Sequence, residues 1–83
     1  MSAHLKAMIE AGLIVEFRII DALGRTVYWS YSRERAQREI AHLRELAPKR
    51  ALSLRRYEFR PIDGWWPRPY DALNARTGAE VAA

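Results

Sequence analysis

LIVEFRIIDALGRTVYWSY, residues 13–31, decides the fold. Two runs rich in β-branched and aromatic residues, Leu13–Ile20 and Arg25–Tyr31, flank the tetrapeptide Asp21-Ala22-Leu23-Gly24. Such runs read as strands, and a short connection that opens on aspartate and ends in glycine reads as a hairpin turn. A type I turn with Gly24 in the left-handed region as a G1 bulge pairs Asp21 with Arg25. In that register Ile19 faces Val27, Phe17 faces Trp29 and Val15 faces Tyr31, all on one side. The opposite side receives Glu16, Arg18 and Ile20 against Ser30, Tyr28 and Thr26. A slip of one residue would turn every large apolar side chain to water, so the register is strongly specified.

Working outward, Ser2 caps a short helix over His4–Ala11 whose apolar side is Leu5, Met8 and Ile9. Gly12 ends it. After the hairpin, Ser32 is the N-cap of a longer helix, Arg33–Ala47, with Glu34 in its first turn. Ala36, Ile40, Leu43 and Ala47, with Leu46 alongside, recur at helical spacing and face the core. Pro48 stops the helix. A third strand, Leu54–Arg60, puts Tyr57 and Phe59 on the core side and Arg56, Glu58 and Arg60 on the other. Leu52 and Leu54 have the wrong parity to join Tyr57, which predicts a loop or bulge near Arg55.

The order α-β-β-α-β, with a right-handed crossover through the longer helix, places strand three beside strand one. The expectation is an α+β fold: a three-stranded antiparallel or mixed sheet in order 2-1-3, helices on one face, the other face polar and open. Residues 1–70 form the compact domain, and 71–83 add a helical turn over DALNAR and a frayed tail.

Eighty-three residues without cysteine make one small domain held by packing alone. The longest apolar stretch, Leu5–Leu23, is broken by Lys6, Glu10, Glu16, Arg18 and Asp21, which excludes a membrane span. The first residues lack a basic segment followed by an apolar block, so they do not read as a signal peptide. These features together predict a cytoplasmic protein. Its net charge is +4, and twelve of its fourteen basic residues are arginine. Residues 1–43 carry +1 and residues 69–83 carry −1, so the positive charge concentrates between 44 and 68.

Chemistry-bearing patterns are sparse. His4 and His42 read as solvated helix residues, without a serine-acid pairing or a metal-ligand spacing. The four glycines are scattered singly, which excludes a phosphate-cradling loop. Helical and cross-strand partners account for most carboxylates: Glu34 with Arg38, Arg35 with Glu39, Asp21 with Arg25. The sequence therefore reads as a non-enzymatic protein without cofactor or metal. Its size and arginine content are typical of accessory proteins of phages, plasmids and high-GC bacteria.

Two binding surfaces compete. In RPIDGWWPRPY, residues 60–70, Asp63-Gly64 turns the chain, and Pro67 and Pro69 stiffen the segment beyond the tryptophans. One of Trp65 and Trp66 closes the core with Ile62, and the other stays accessible with Arg68 and Tyr70. Trp, Tyr and Arg dominate binding hot spots, so this stretch, flanked by Arg56 and Arg60, predicts an adaptor or inhibitor docking on a larger bacterial protein assembly. The runner-up is nucleic-acid binding by the open sheet face and the helix end, through Arg18, Tyr28, Arg44, Lys49, Arg50, Arg55, Arg56 and Arg60. A third reading is a homodimer through an edge strand, since strands two and three are both edges in the expected sheet.

Overall fold

The hairpin forms around a saturated aspartate. In a computed structural model, which describes residues 3–59 and 78–81, β1 (Ile14–Asp21) and β2 (Thr26–Ser30) pair antiparallel. Asp21 and Arg25 close the turn, the Asp21 amide donating to the Arg25 carbonyl at 3.0 Å. Asp21 Oδ1 accepts from the amides of Leu23 and Arg25, both at 2.9 Å, and Oδ2 takes the Arg25 Nε at 2.8 Å. Gly24 sits at φ 81°, the left-handed conformation this turn demands and only glycine adopts at no steric cost.

Beyond the turn the register departs from expectation. Val27 is an extra residue on β2, so Ile20 lies opposite Thr26 while Ile19 lies opposite Tyr28, Arg18 opposite Trp29 and Phe17 opposite Ser30. A bulge of this kind reverses the facing of every residue after it. Trp29, expected against Phe17 in the core, thereby comes to the side of Arg18. Tyr28 comes to the core side, where it packs half-buried together with Val27.

Among the described residues four strands, not three, make the sheet, in order β2-β1-β3-β4 and antiparallel throughout. β3 (Leu52–Phe59) runs beside β1, as expected, with Phe17 opposite Arg56 and Ile19 opposite Leu54. β4 (Ala79–Glu80) lies against Arg55 and Arg56, and the Val81 amide donates to the Leu54 carbonyl at 2.8 Å. Residues 78–81 are thus part of the sheet, not of a frayed tail. Two constraints hold them. Val81 is buried in the core cluster, and Gly78 presents bare backbone to the Tyr57 ring.

β3 carries no bulge. Leu52 and Leu54 take the core side with Phe17 and Ile19, and Tyr57 stands on the other side opposite Glu16. This inverts the expected parity, which had given Tyr57 to the core and Arg56 and Glu58 to the polar face. The parity conflict between Leu54 and Tyr57 vanishes once both faces of the sheet exclude water. Ile14, Glu16, Arg18 and Ile20, the even-numbered face of β1, are all buried.

α1 (Ala3–Glu10) and α2 (Arg33–Leu46) match the sequence-predicted helices to within a residue. Ser32 caps α2, its side chain accepting the Arg35 amide at 3.3 Å. Ala36 and Ile40 are buried against Phe17, Ile19, Leu54 and Val81, with Leu43 half-buried beside them. Leu46, expected alongside that stripe, is 69% exposed. α1 buries no residue fully. Backbone bonds from Gly12 to Ile9 and from Leu13 to Met8 close its end. Past the end of β2, the Val15 amide donates to Met8 Sδ at 3.4 Å, so α1 takes over where β2 stops. Ser2, residues 60–77 with the expected helical turn at DALNAR, and the last two alanines lie outside the described residues.

A Cβ added at Gly78 would meet Tyr57 Cζ at 2.6 Å and the Arg56 carbonyl at 2.9 Å. Gly78→Ala should therefore lower stability by about 1–3 kcal/mol, the usual range for overpacking. Thermal melting checks this; an unshifted midpoint would mean that β4 does not hold its place on β3.

Candidate functional site

The even-numbered face of β1 contributes four side chains in alternation: Ile14, Glu16, Arg18 and Ile20. Residues two apart on a strand share a face, so the carboxylate and the guanidinium are adjacent by construction. Arg18 Nε donates to Glu16 Oε1 at 2.5 Å, and both side chains have 0% exposure. The Arg18 guanidinium carbon also lies 4.6 Å from the centroid of the Tyr57 ring, a cation–π contact supplied by β3. On the β2 side stand Trp29 and Tyr31, whose rings meet edge to face with centroids 5.1 Å apart. The second face of the sheet is therefore an aromatic surround for one ion pair.

Burial dominates the electrostatics. It raises the Glu16 carboxyl above its ordinary value, against the hydrogen bond and charge of Arg18, which pull the other way. Glu16 Oε2 is buried without a hydrogen-bond partner, in keeping with that direction. Burial likewise raises the Tyr31 and Tyr57 phenols, and the Glu16 charge adds to both shifts. Asp21 goes the other way. The Arg25 backbone amide, first among several donors, holds its carboxyl below the ordinary range.

Several residues expected on an open sheet face are elsewhere. Arg18 is withdrawn into the ion pair because a lone buried guanidinium would be prohibitively costly and Glu16 stands two residues away. Tyr28 is turned to the core side by the Val27 bulge. Arg55 reaches Ser53 Oγ at 3.3 Å and the Gly78 carbonyl at 2.9 Å, bracing β4. Arg56 pairs with Glu58 on the helix side of the sheet. Arg44 donates to the Leu52 carbonyl at 3.1 Å from the last turn of α2. Lys49 and Arg50 are exposed in the turn before β3. Arg60, Trp65, Trp66, Arg68 and Tyr70 lie outside the described residues.

Among the pairings expected for carboxylates, Asp21–Arg25 is made; the described ion pairs otherwise are Glu16–Arg18 and Arg56–Glu58. Sequence reasoning missed the Glu16–Arg18–Tyr57 constellation. The available signal was Ile14 and Ile20 at both ends of the supposedly polar face, the mark of a central strand covered on both sides.

Between α1 and the start of α2 lies an open cleft of about 840 Å³. Met8, Val15 and Phe17 contribute its apolar lining, and His4, Arg33, Glu34 and Arg35 its polar rim. No group of three or more potential metal ligands occurs among the described residues, and no described helix is long and apolar enough to cross a membrane. No protein-family profile, curated protein or solved structure matches the chain.

Removing one member of a buried pair strands the other. Arg18→Met should cost about 3–5 kcal/mol, while Glu16→Leu combined with Arg18→Met should recover most of that loss. Urea unfolding of the two variants measures the difference, and equal losses would mean that the two groups do not act as a pair.

The two carboxylates tilt the pH dependence in opposite directions. Asp21, lowered from 3.8, contributes stability that is present above that value and lost as pH falls through its folded value. Glu16, raised from 4.5, contributes stability that is present below that value and lost as pH rises through its folded value. Denaturation between pH 2 and 8 should show the acid-side loss reduced in Asp21→Asn and the decline above 4.5 reduced in Glu16→Gln.

Proposed function

We propose that the protein is a small non-enzymatic binding protein that engages a larger bacterial protein assembly, as adaptor or inhibitor, through a Trp/Arg/Tyr surface. One observation supports protein over nucleic acid as the partner: the sheet arginines already have partners within the chain. Arg18 is buried with Glu16 and Tyr57, half-buried Arg55 reaches Ser53 and Gly78, and Arg56 pairs with Glu58 at the surface. A phosphate-tracking groove needs guanidinium groups facing solvent. The residues of hot-spot type that carry the reading are Trp65, Trp66, Arg68 and Tyr70. Their prolines reduce the entropy lost on docking. Arg60 and the neighbouring positive charge favour an acidic patch on the partner.

A second reading keeps one specific observation in its favour. Lys49 and Arg50 are exposed, make no ion pair among the described residues, and sit beside Arg44 at the end of α2. This short basic corner suits a nucleic-acid backbone, without the sheet face.

A tagged pull-down from native extract, with and without nuclease, separates the two. The proposal expects a protein partner that survives nuclease and is lost on Trp65→Ala or Trp66→Ala, with at least one costing about 2 kcal/mol of binding, roughly thirtyfold. Two alanine variants that melt earlier yet bind as before would refute the surface. Loss of all captured material on nuclease treatment would favour the basic corner.

A further inference from the structure

We infer that the outer edge of β2 is a self-association surface, and that its occupant is β2 of a second copy of this chain in antiparallel, two-fold-related pairing. The sheet has two ends, and they are built differently. At one end β4 has two residues and carries Glu80; short length and charge both blunt an edge. At the other end β2 has five residues, Thr26–Ser30, and among the described residues it pairs with β1 alone. Its sequence TVYWS, followed by Tyr31 and Ser32, has no charge and no proline, the residues that normally keep such an edge solitary.

Charge distribution selects a second copy as the occupant. Two chains of net charge +4 repel wherever arginine-rich surfaces meet, but residues 26–32 are neutral. Identical neutral strands can therefore approach without opposing like charges along the paired run. The pairing is also self-complementary. Because the bulge at Val27 interrupts the alternation and the strand ends at Ser30, the regular part of the edge is Tyr28–Ser30. Antiparallel partners must share a face, so a symmetric register centres on Trp29. That centre brings Trp29 of one copy against Trp29 of the other, with Tyr31 beside each. Trp29, 38% exposed on the isolated chain, would then be covered.

So short an edge buries less than the roughly 800 Å² per partner of a standard interface. The dimer is accordingly weak and concentration-dependent. It is independent of the surface proposed at Trp65 and Trp66, and it is tested on the purified chain, so either idea can fail alone.

Sedimentation of the pure protein over a hundredfold concentration range is the test. The weight-average mass should rise from the monomer toward twice that value, and amide exchange at residues 26–30 should slow in parallel. Trp29→Lys should remain monomeric throughout. Its circular dichroism should match the parent, which distinguishes a lost contact from a lost fold; should it not fold, Ser30→Lys takes its place with the same expectation. A wild type that stays monomeric at the highest concentration overturns the inference. So does a dimer that protects amides outside β2, or one that survives the lysine substitutions.

Discussion

A carboxylate and a guanidinium two residues apart on a central strand can leave water only together, and Glu16 and Arg18 do so on β1. Each alone would cost many kilocalories to bury; paired, and with the Tyr57 ring over the guanidinium, they are carried inside the second face of the sheet. β1 is also the strand to which both β2 and β3 are hydrogen-bonded. Whatever fixes its two faces fixes the sheet. With Phe17 and Ile19 committed to α2, the even face must hold the ion pair, and the neighbours must supply side chains that tolerate it. They do so with aromatic rings, Trp29 from β2, Tyr31 just beyond it and Tyr57 from β3.

This arrangement bears on function by subtraction. An arginine-rich chain suggests a phosphate surface, yet in this fold several arginines act as internal struts. Arg55 braces β4 through the Gly78 carbonyl, and Arg44 ties the end of α2 to the start of β3. The fork-shaped guanidinium suits such carbonyl contacts as well as it suits phosphate. Positive charge counted along a sequence therefore overstates the positive charge a partner meets. Outward among the described residues stand the basic side chains of the helices and turns, Lys49 and Arg50 among them, and a neutral aromatic edge at β2.

Much of the architecture was legible from local chemistry. The Asp21–Gly24 turn, the Ser32 cap, the Ala36–Ile40 stripe and the position of β3 beside β1 all stand where residue types and spacing put them. Each depends on interactions within a few residues, or on a handedness rule that leaves one topology. Three features were not legible for one shared reason: the Val27 bulge, the facing of Tyr57 and the pairing of Gly78–Val81. Each is decided by what lies across the sheet. Alternation along β3 marked Leu52 and Leu54 on one face and Tyr57 on the other. That pattern was sound, but the assumption that one face must be wet made it look like a conflict.

The sequence by itself determined the two helices, the hairpin and the α+β class, because turn geometry, capping and side-chain period are properties of neighbouring residues. Only the tertiary structure decided that Arg18 is a structural cation and that Trp29 stands at an edge instead of in the core. It also decided that four residues near the C-terminus complete the sheet. Desolvating a charge depends on everything around it at once, and a one-residue bulge reassigns faces at no cost in local pattern. Neither is written in the spacing of the chain.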